Sequence, residues 1–353
     1  MSDQLSSRTT DSTAAVNPVQ VDLAGDRTSS GAPSPTLLEV RDLRVNFHLQ
    51  RSIVPAVQGM TFSVNAGQTI GIIGESGSGK SVTARAIMGL LPKKTAEVLG
   101  SVRFEGKELL DLSDREMRQH RGKNIVLVFQ DPMRSLNPTM RIGTQIAEAL
   151  HSHQKITRAD AHKRVVELLQ MVRIPSAEQR FHEYPHQLSG GMRQRVMIAM
   201  ALSCGPKVMI ADEPTTALDV TTQAQIMELL RELQRELNMA VVLISHDMGL
   251  AAMYTDEVAV MYAGRVVEQA TTKRLFKHVR MPYTRALLDS IPSLDHPSLE
   301  PLSVIKGRPP DLSALPPGCP FSPRCHFAQH KCEESPILET TEDGDRFACW
   351  FPL

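Results

Sequence analysis

The sequence predicts an α/β fold built on a buried parallel sheet, and three observations predict it. Residues 69–73 form an apolar run that ends in a glycine-rich turn and is followed by a helical run over 82–90. Two more apolar runs, 208–211 and 241–244, flank an amphipathic stretch over about 223–237 in which Ile226, Leu229, Leu230 and Leu233 share a face. Strand, helix, strand in one sheet requires parallel neighbours, and short wholly apolar strands belong to a sheet covered on both sides. Finally, residues 140–175 carry Ile142, Ile146, Ala149 and Leu150, then Val165, Val166, Leu168, Leu169 and Val172, at helical spacing. That pattern inserts a helical subdomain between strands.

Residues 1–36, at the start of the chain, are rich in Ser, Thr, Pro, Asp and Gly and lack a basic start followed by an apolar stretch, so a disordered tail without a signal peptide is expected. Residues 38–47 and 56–64 read as strands leading into the run at 68–73. Between Pro282 and Pro323 the chain carries ten of its 23 prolines, which disfavours helix interiors and central strands and predicts an arm laid over another surface as extended chain. No internal repeat is present.

Composition narrows the function. Lys plus Arg and Asp plus Glu are equal at 39 each, so no global field favours nucleic acid or an anionic bilayer. The longest apolar runs, 196–202 and 239–244, fall far short of the roughly 20 residues a membrane span needs. Any membrane association is therefore expected to be protein-mediated.

Gly74-Glu75-Ser76-Gly77-Ser78-Gly79-Lys80-Ser81 fits the phosphate-loop pattern G-x-x-x-x-G-K-[ST], in the strand-to-helix context that pattern requires. Its glycines let successive N–H groups curl around phosphates at a helix N-terminus. Lys80 is expected to pair with the β- and γ-phosphates of ATP and Ser81 to ligate Mg²⁺, with Val82 completing the nucleotide-binding set. Further on, the strand at 208–211 ends in Asp212-Glu213, at the sheet edge where ligands sit. Asp212 is placed to reach the magnesium shell, and Glu213 to polarise a water for in-line attack.

Between these elements lies Leu188-Ser189-Gly190-Gly191-Met192, followed by a helical stretch over 193–202, which closely resembles the signature motif of ABC ATPases. The resemblance extends to Gln130 after Val128-Phe129, Asp219 in Thr216-Ala217-Leu218-Asp219, and His246 in Ile244-Ser245-His246-Asp247, all in the family's order. It implies a P-loop NTPase of the ABC nucleotide-binding type, with an inserted helical subdomain, an antiparallel β subdomain and an irregular cysteine-containing C-terminal extension. Implied boundaries are 37–281 for the nucleotide-binding domain, with its helical subdomain at about 131–205, and 282–353 for the extension. Glu213, His246 and Gln130 are the implied catalytic set, and Gln130 joins Ser81 and Asp212 around Mg²⁺. Phe47 is the candidate to stack on adenine.

The resemblance also implies a composite site. Ser189, Gly190 and Gly191 serve the γ-phosphate held by a partner's loop, so two ATPase domains sandwich two nucleotides and close on binding ATP. Several stretches look specifically like the oligopeptide and dipeptide importer subunits: Phe129-Gln130-Asp131-Pro132-Met133, Ser135-Leu136-Asn137-Pro138, Tyr184-Pro185-His186-Gln187 running into the signature, and Pro282-Tyr283-Thr284-Arg285. Met281 departs from that pattern, where histidine is usual before Pro-Tyr. The implied partners are a second ATPase subunit, expected to be a sister chain, two membrane-spanning permease subunits, and an extracytoplasmic peptide-binding protein, with no nucleic acid. The implied location is the cytoplasmic face of a bacterial-type cell membrane. Two alternatives stay open at this point: a soluble ABC ATPase outside transport, and an iron–sulfur redox or sensor protein with a regulatory ATPase.

Four of five cysteines, Cys319, Cys325, Cys332 and Cys349, crowd into the last 35 residues. Their spacing matches neither paired zinc knuckles nor ferredoxin runs. Four thiols in a short segment of a cytosolic ATPase favour a metal over disulfides. Phe321, Phe327, Phe347, Trp350 and Phe351 supply an apolar shell. The family resemblance implies a [4Fe-4S] cluster acting as a structural staple, with Zn²⁺ as the alternative. Cys204 is expected to be a small buried apolar residue.

Overall fold

The computed structural model describes residues 35–50, 52–216, 218–291 and 305–353. The expected N-terminal tail, up to residue 34, and the middle of the proline-rich arm lie outside the described residues.

Two sheets organise the chain. The first is antiparallel, in the order β2-β1-β4-β5, from β1 (Thr36–His48), β2 (Ile53–Asn65), β4 (Ala96–Phe104) and β5 (Lys107–Glu108). β1 buries Leu38 and Val40, then Leu43 and Val45, so the buried parity changes midway. The register shifts between those pairs, at Asp42 with φ 45°, and this bulge turns the second half of the strand to keep its apolar residues on the core side.

The second sheet has eight strands in the order β11-β12-β10-β9-β3-β8-β7-β6. Its centre is parallel: β9 (Glu257–Tyr262), β3 (Thr69–Ile73), β8 (Ala240–Ser245), β7 (Val208–Asp212) and β6 (Ile125–Val128). The middle of each inner strand is apolar because alternate residues serve different cores. Ile70, Ile72, Ile125, Leu127, Val208, Ile210, Val242 and Ile244 pack towards the antiparallel sheet and the helix α1 (Lys80–Ile87). Val126, Val128, Met209, Ala211, Val241 and Leu243 pack towards a helical layer.

That layer comes after α2 (Asp114–His120) and consists of α3 (Pro132–Ser135), α4 (Ile142–His153), α5 (Arg158–Met171), α6 (Ala177–Arg180) and α7 (Gly190–Leu202), joined by α8 (Val220–Glu236). Of the residues read as helical from their spacing, Ile142, Ile146, Leu150, Val165, Leu168, Leu169 and Val172 are buried there, while Ala149 and Val166 are half-buried.

Beyond α9 (Met248–Tyr254), β9 returns as β10 (Arg265–Thr271), a hairpin the apolar pattern alone does not single out. Ala263 and Gly264, with φ 49° and 79°, form the two-residue turn between the paired Tyr262 and Arg265, which matches the strands' twist. After α10 (Thr272–Lys277), α11 (Pro282–Asp289) corrects the expectation of extended chain across the proline-rich stretch. Pro282 stands in the first turn of α11, where its missing N–H costs nothing and its fixed φ favours helix. The tail then adds β11 (Glu339–Thr340) and β12 (Arg346–Phe347), the latter pairing with β10 and covering the sheet's edge. A third core joins Ile73, Val258, Val260 and Tyr262 to Tyr283, Leu287, Cys319 and Phe321, fastening the tail to the strand that carries the phosphate loop.

Candidate active site

Parallel pairing aligns the C-terminal ends of four strands. Ile73 pairs with Ser245, Asp212 with Ile244, and Val128 with Ala211. The segments just beyond these strands therefore meet at one edge: Gly74–Ser81 after β3, Gln130 after β6, Glu213 after β7 and His246 after β8.

The phosphate loop turns directly into α1. Gly79 caps that helix in the left-handed region at φ 102°, and a Cβ there would lie 2.4 Å from the Ala56 carbonyl oxygen, so both conformation and space require glycine. Lys80 Nζ donates to the carbonyls of Gly74 at 2.6 Å and Glu75 at 2.8 Å. Burial pushes its ammonium below the ordinary lysine range, with Glu213, Asp212 and Glu75 drawing it back up. Ser76 and Gly77 stand exposed at the loop tip, while the Ser78 hydroxyl is buried without a hydrogen-bond partner, a polar atom suited to a bound anion. Val82 is half-buried in the first turn of α1.

Ser81 Oγ donates to Asp212 Oδ1 at 2.9 Å. Burial raises the Asp212 carboxyl above its usual range; the Ser81 hydrogen bond lowers it and Glu213 raises it further. A buried carboxylate touching a hydroxyl is a donor set that fits a hard divalent cation completed by phosphate oxygens.

Glu213 leaves β7 at φ 48°, and its N–H donates to the Ile244 carbonyl at 2.9 Å. This turn aims the side chain along the edge. Glu213 Oε2 accepts from Gln130 Nε2 at 2.7 Å and from Thr216 Oγ1 at 2.9 Å, while Oε1 lies 3.5 Å from Nδ1 of the largely exposed His246. The structure thus brings Gln130, Glu213 and His246 together. Thr216 is a further positioning group that sequence reasoning missed; its spacing three residues after Glu213 was the available signal.

The signature residues lie elsewhere. Ser189 caps α7, accepting the Met192 N–H at 3.3 Å, and a Cβ added at Gly190 or Gly191 would meet Leu218 or Thr222 and no atom of the phosphate loop within 4 Å. Asp219 caps α8, accepting from Thr222 N at 3.0 Å and Oγ1 at 2.7 Å. Phe47 sits in β1, paired with Val54 and Ala96 and half-buried against the sheet core.

The tail cysteines Cys319, Cys325, Cys332 and Cys349 line one small cavity with Phe321, Phe327, Trp350 and Phe351. Met281 also lines it and is buried, so the departure from the usual histidine places an apolar side chain against the thiols. Burial raises the Cys319 and Cys325 thiols and pushes Cys349 up to about 11. Among the described residues, no three His, Cys, Asp or Glu side chains are grouped as a metal site, so the expected cluster is not matched by a ready ligand set. Cys204 is half-buried rather than enclosed, because it lines the cleft between the helical layer and Gln130.

Comparison with known proteins adds three findings. Residues 57–216 match the ABC transporter family, and residues 267–332 match the oligopeptide/dipeptide transporter C-terminal region. The oligopeptide transport ATP-binding protein OppD of Haemophilus influenzae is 52% identical over 314 residues, covering 89% of this chain and 97% of that protein. OppD of Salmonella typhimurium is 50% identical over 92% of this chain and 97% of that protein. The dipeptide transport ATP-binding protein DppD of Bacillus subtilis is 49% identical over 89% of this chain and 94% of that protein. Among solved structures, a dimeric ATP-binding cassette in a post-hydrolysis state with ADP and phosphate superposes with TM-score 0.60 at 28% identity, covering 67% of this chain and 99% of the other.

Proposed function

This chain belongs to the ABC transporter ATPases, and from that premise we propose how its residues do the work. It is the ATP-binding and ATP-hydrolysing subunit of a peptide importer. The observation that carries this reading is the meeting of Lys80 and Ser81, beyond β3, with Asp212 and Glu213, at the end of β7 on the far side of β8, with Gln130 and His246 on the Glu213 carboxylate.

The loop N–H groups and Lys80 bind the phosphates, and Phe47 stacks on the base. Ser81, Asp212 and Gln130 would hold Mg²⁺, which neutralises phosphate charge when bound. Glu213, oriented by Gln130 and Thr216, accepts the proton of the attacking water, and His246 stands beside it to fix the γ-phosphate. Ser189, Gly190 and Gly191 complete the site of a second ATPase subunit, a sister chain; Asp219 borders the same junction. Closure on ATP and reopening after hydrolysis transmit motion to two permease subunits, supplied by an extracytoplasmic peptide-binding protein. Among the described residues no helix is long and apolar enough to cross a membrane, and the chain works on the cytoplasmic face through those partners. Residues 37–281 form the cassette, with the helical insert at about 131–205, and 282–353 form the extension.

For the tail, Cys319, Cys325, Cys332 and Cys349 line one aromatic-walled cavity without being grouped as a ready ligand set, and they are the residues that would hold a structural metal centre, either [4Fe-4S] or Zn²⁺. Such a group would draw the thiols inward and tie the tail's loops together. Anaerobic purification followed by iron, sulfide and zinc analysis tests it: a stoichiometric metal supports the centre, and a metal-free, fully folded tail contradicts it.

The transport reading is tested by vesicles containing the assembled complex. ATP-dependent uptake of a labelled oligopeptide, abolished by Lys80→Ala, is expected. Uptake that persists in Lys80→Ala contradicts it.

A further inference from the structure

Glu75, the second residue of the phosphate loop, is held at three points. Its carbonyl accepts from Lys80 Nζ, its N–H donates to the buried Tyr283 hydroxyl oxygen at 2.9 Å, and its carboxylate is gripped by Arg324, 249 residues away in the tail. Arg324 Nη1 and Nη2 meet Glu75 Oε2 at 2.5 Å and Oε1 at 2.9 Å, a fork-to-fork pair. The other N–H groups of the guanidinium donate to Tyr262 Oη at 3.2 Å, Ile305 O at 3.4 Å and Lys306 O at 3.0 Å, so all five donors are used. Tyr262 and Phe321 flank it at 5.9 and 6.0 Å, and its side chain is only 5% exposed.

This clamp is asymmetric along the loop. Glu75 is fixed from three sides, whereas a Cβ on Gly77, two residues on, would meet nothing within 4 Å. The loop's base is thus set by the tail while its tip stays open for phosphate. The pair is also asymmetric in cost. Removing Arg324 leaves a carboxylate that is 23% exposed and can take water, whereas removing Glu75 leaves a buried guanidinium without its counter-ion.

We propose that Arg324 is a positioning residue for the phosphate loop, acting through Glu75, and that the C-terminal tail thereby contributes directly to nucleotide affinity. This rests on the assignment of the loop as the ATP site. By holding the Glu75 peptide in place, Arg324 fixes the carbonyl that anchors Lys80 and spares the loop part of its ordering cost on binding.

The test uses the full chain in its assembled transporter. Arg324→Met keeps bulk and removes charge and donors; it is expected to raise KM for ATP about tenfold with kcat within about twofold. Arg324→Lys, which keeps the charge without the fork, should recover part of the affinity. Glu75→Gln combined with Arg324→Met should be no weaker than Arg324→Met alone. Trp350, the chain's one tryptophan, lines the cysteine cavity, and its emission reports whether the tail stays folded. Unchanged emission with raised KM supports the clamp. An unchanged KM, additive effects in the double variant, or a KM rise accompanied by a red-shifted Trp350 emission overturns it. A wild-type complex that hydrolyses ATP, loses turnover in Glu213→Gln and shows no KM change in Arg324→Met sinks this inference alone. A wild-type complex without ATPase activity sinks the underlying site assignment and the clamp together.

Discussion

Gln130 Nε2 and Glu213 Oε2 are joined across 2.7 Å, linking the residues just beyond two neighbouring parallel strands. The amide at the mouth of the helical layer therefore orients the carboxylate that faces the nucleotide edge. Gln130→Ala removes one of two donors on that oxygen, leaving Thr216. Steady-state ATPase assays on the complex should give a kcat lowered about tenfold with KM changed less than about threefold. A matching loss in KM alone would place Gln130 in binding rather than orientation.

Asp212 exchanges stability for function. Its folded carboxyl titrates above the unfolded value because of burial, so its stabilising contribution is full below the ordinary aspartate pKa of 3.8 and is lost as pH rises through the folded value. At neutral pH the ionised group is a net cost that a bound cation relieves. Asp212→Asn should raise the melting temperature of nucleotide-free protein at pH 7 by roughly 2–4 °C while abolishing the further rise given by Mg·ATP. Scanning calorimetry with and without Mg·ATP reads both. A melting temperature that falls in Asp212→Asn contradicts the electrostatic account.

Gly191 meets α8 at close range. An added Cβ would lie 2.6 Å from the Thr222 methyl carbon, so Gly191→Ala should impair ATPase activity of the assembled complex by about tenfold or more through that clash. Thr222→Ser deletes the methyl and keeps the hydroxyl that donates to Asp219 at 2.7 Å. The double variant should recover most of the activity. Failure to recover would mean that the clash with Thr222 is not what bars a side chain at Gly191, and that its close approach to the partner's nucleotide alone does so.

The nucleotide edge was legible because its signals are local. The glycine spacing of 74–81, the wholly apolar strands and the Asp212-Glu213 pair each lie within a few residues, and parallel pairing alone then brings their ends together. The helical layer was legible from period, since one buried face recurs over several turns. The hairpin ending at β10 was not, because Ala263-Gly264 is a weaker turn signal than Asn-Gly and its strands are buried on both faces. Thr216, Tyr283 and Arg324 escaped for a different reason. Arg324 looks like a surface arginine in sequence, and only a tail folded back beside β9 shows that its partner is the phosphate loop. Cysteine density marked the tail as a unit, but spacing could not say how the four thiols face one another.

Replacing Glu213 with glutamine is the most direct test of the central claim, because it removes the proton acceptor while keeping an oxygen to receive Thr216 and a near-identical shape. Nucleotide binding and single-turnover hydrolysis should be measured on the assembled Glu213→Gln complex. ATP bound with affinity within about threefold of wild type, and hydrolysis reduced by about a hundredfold or more, is the result this account predicts. Hydrolysis within about threefold of wild type would contradict it.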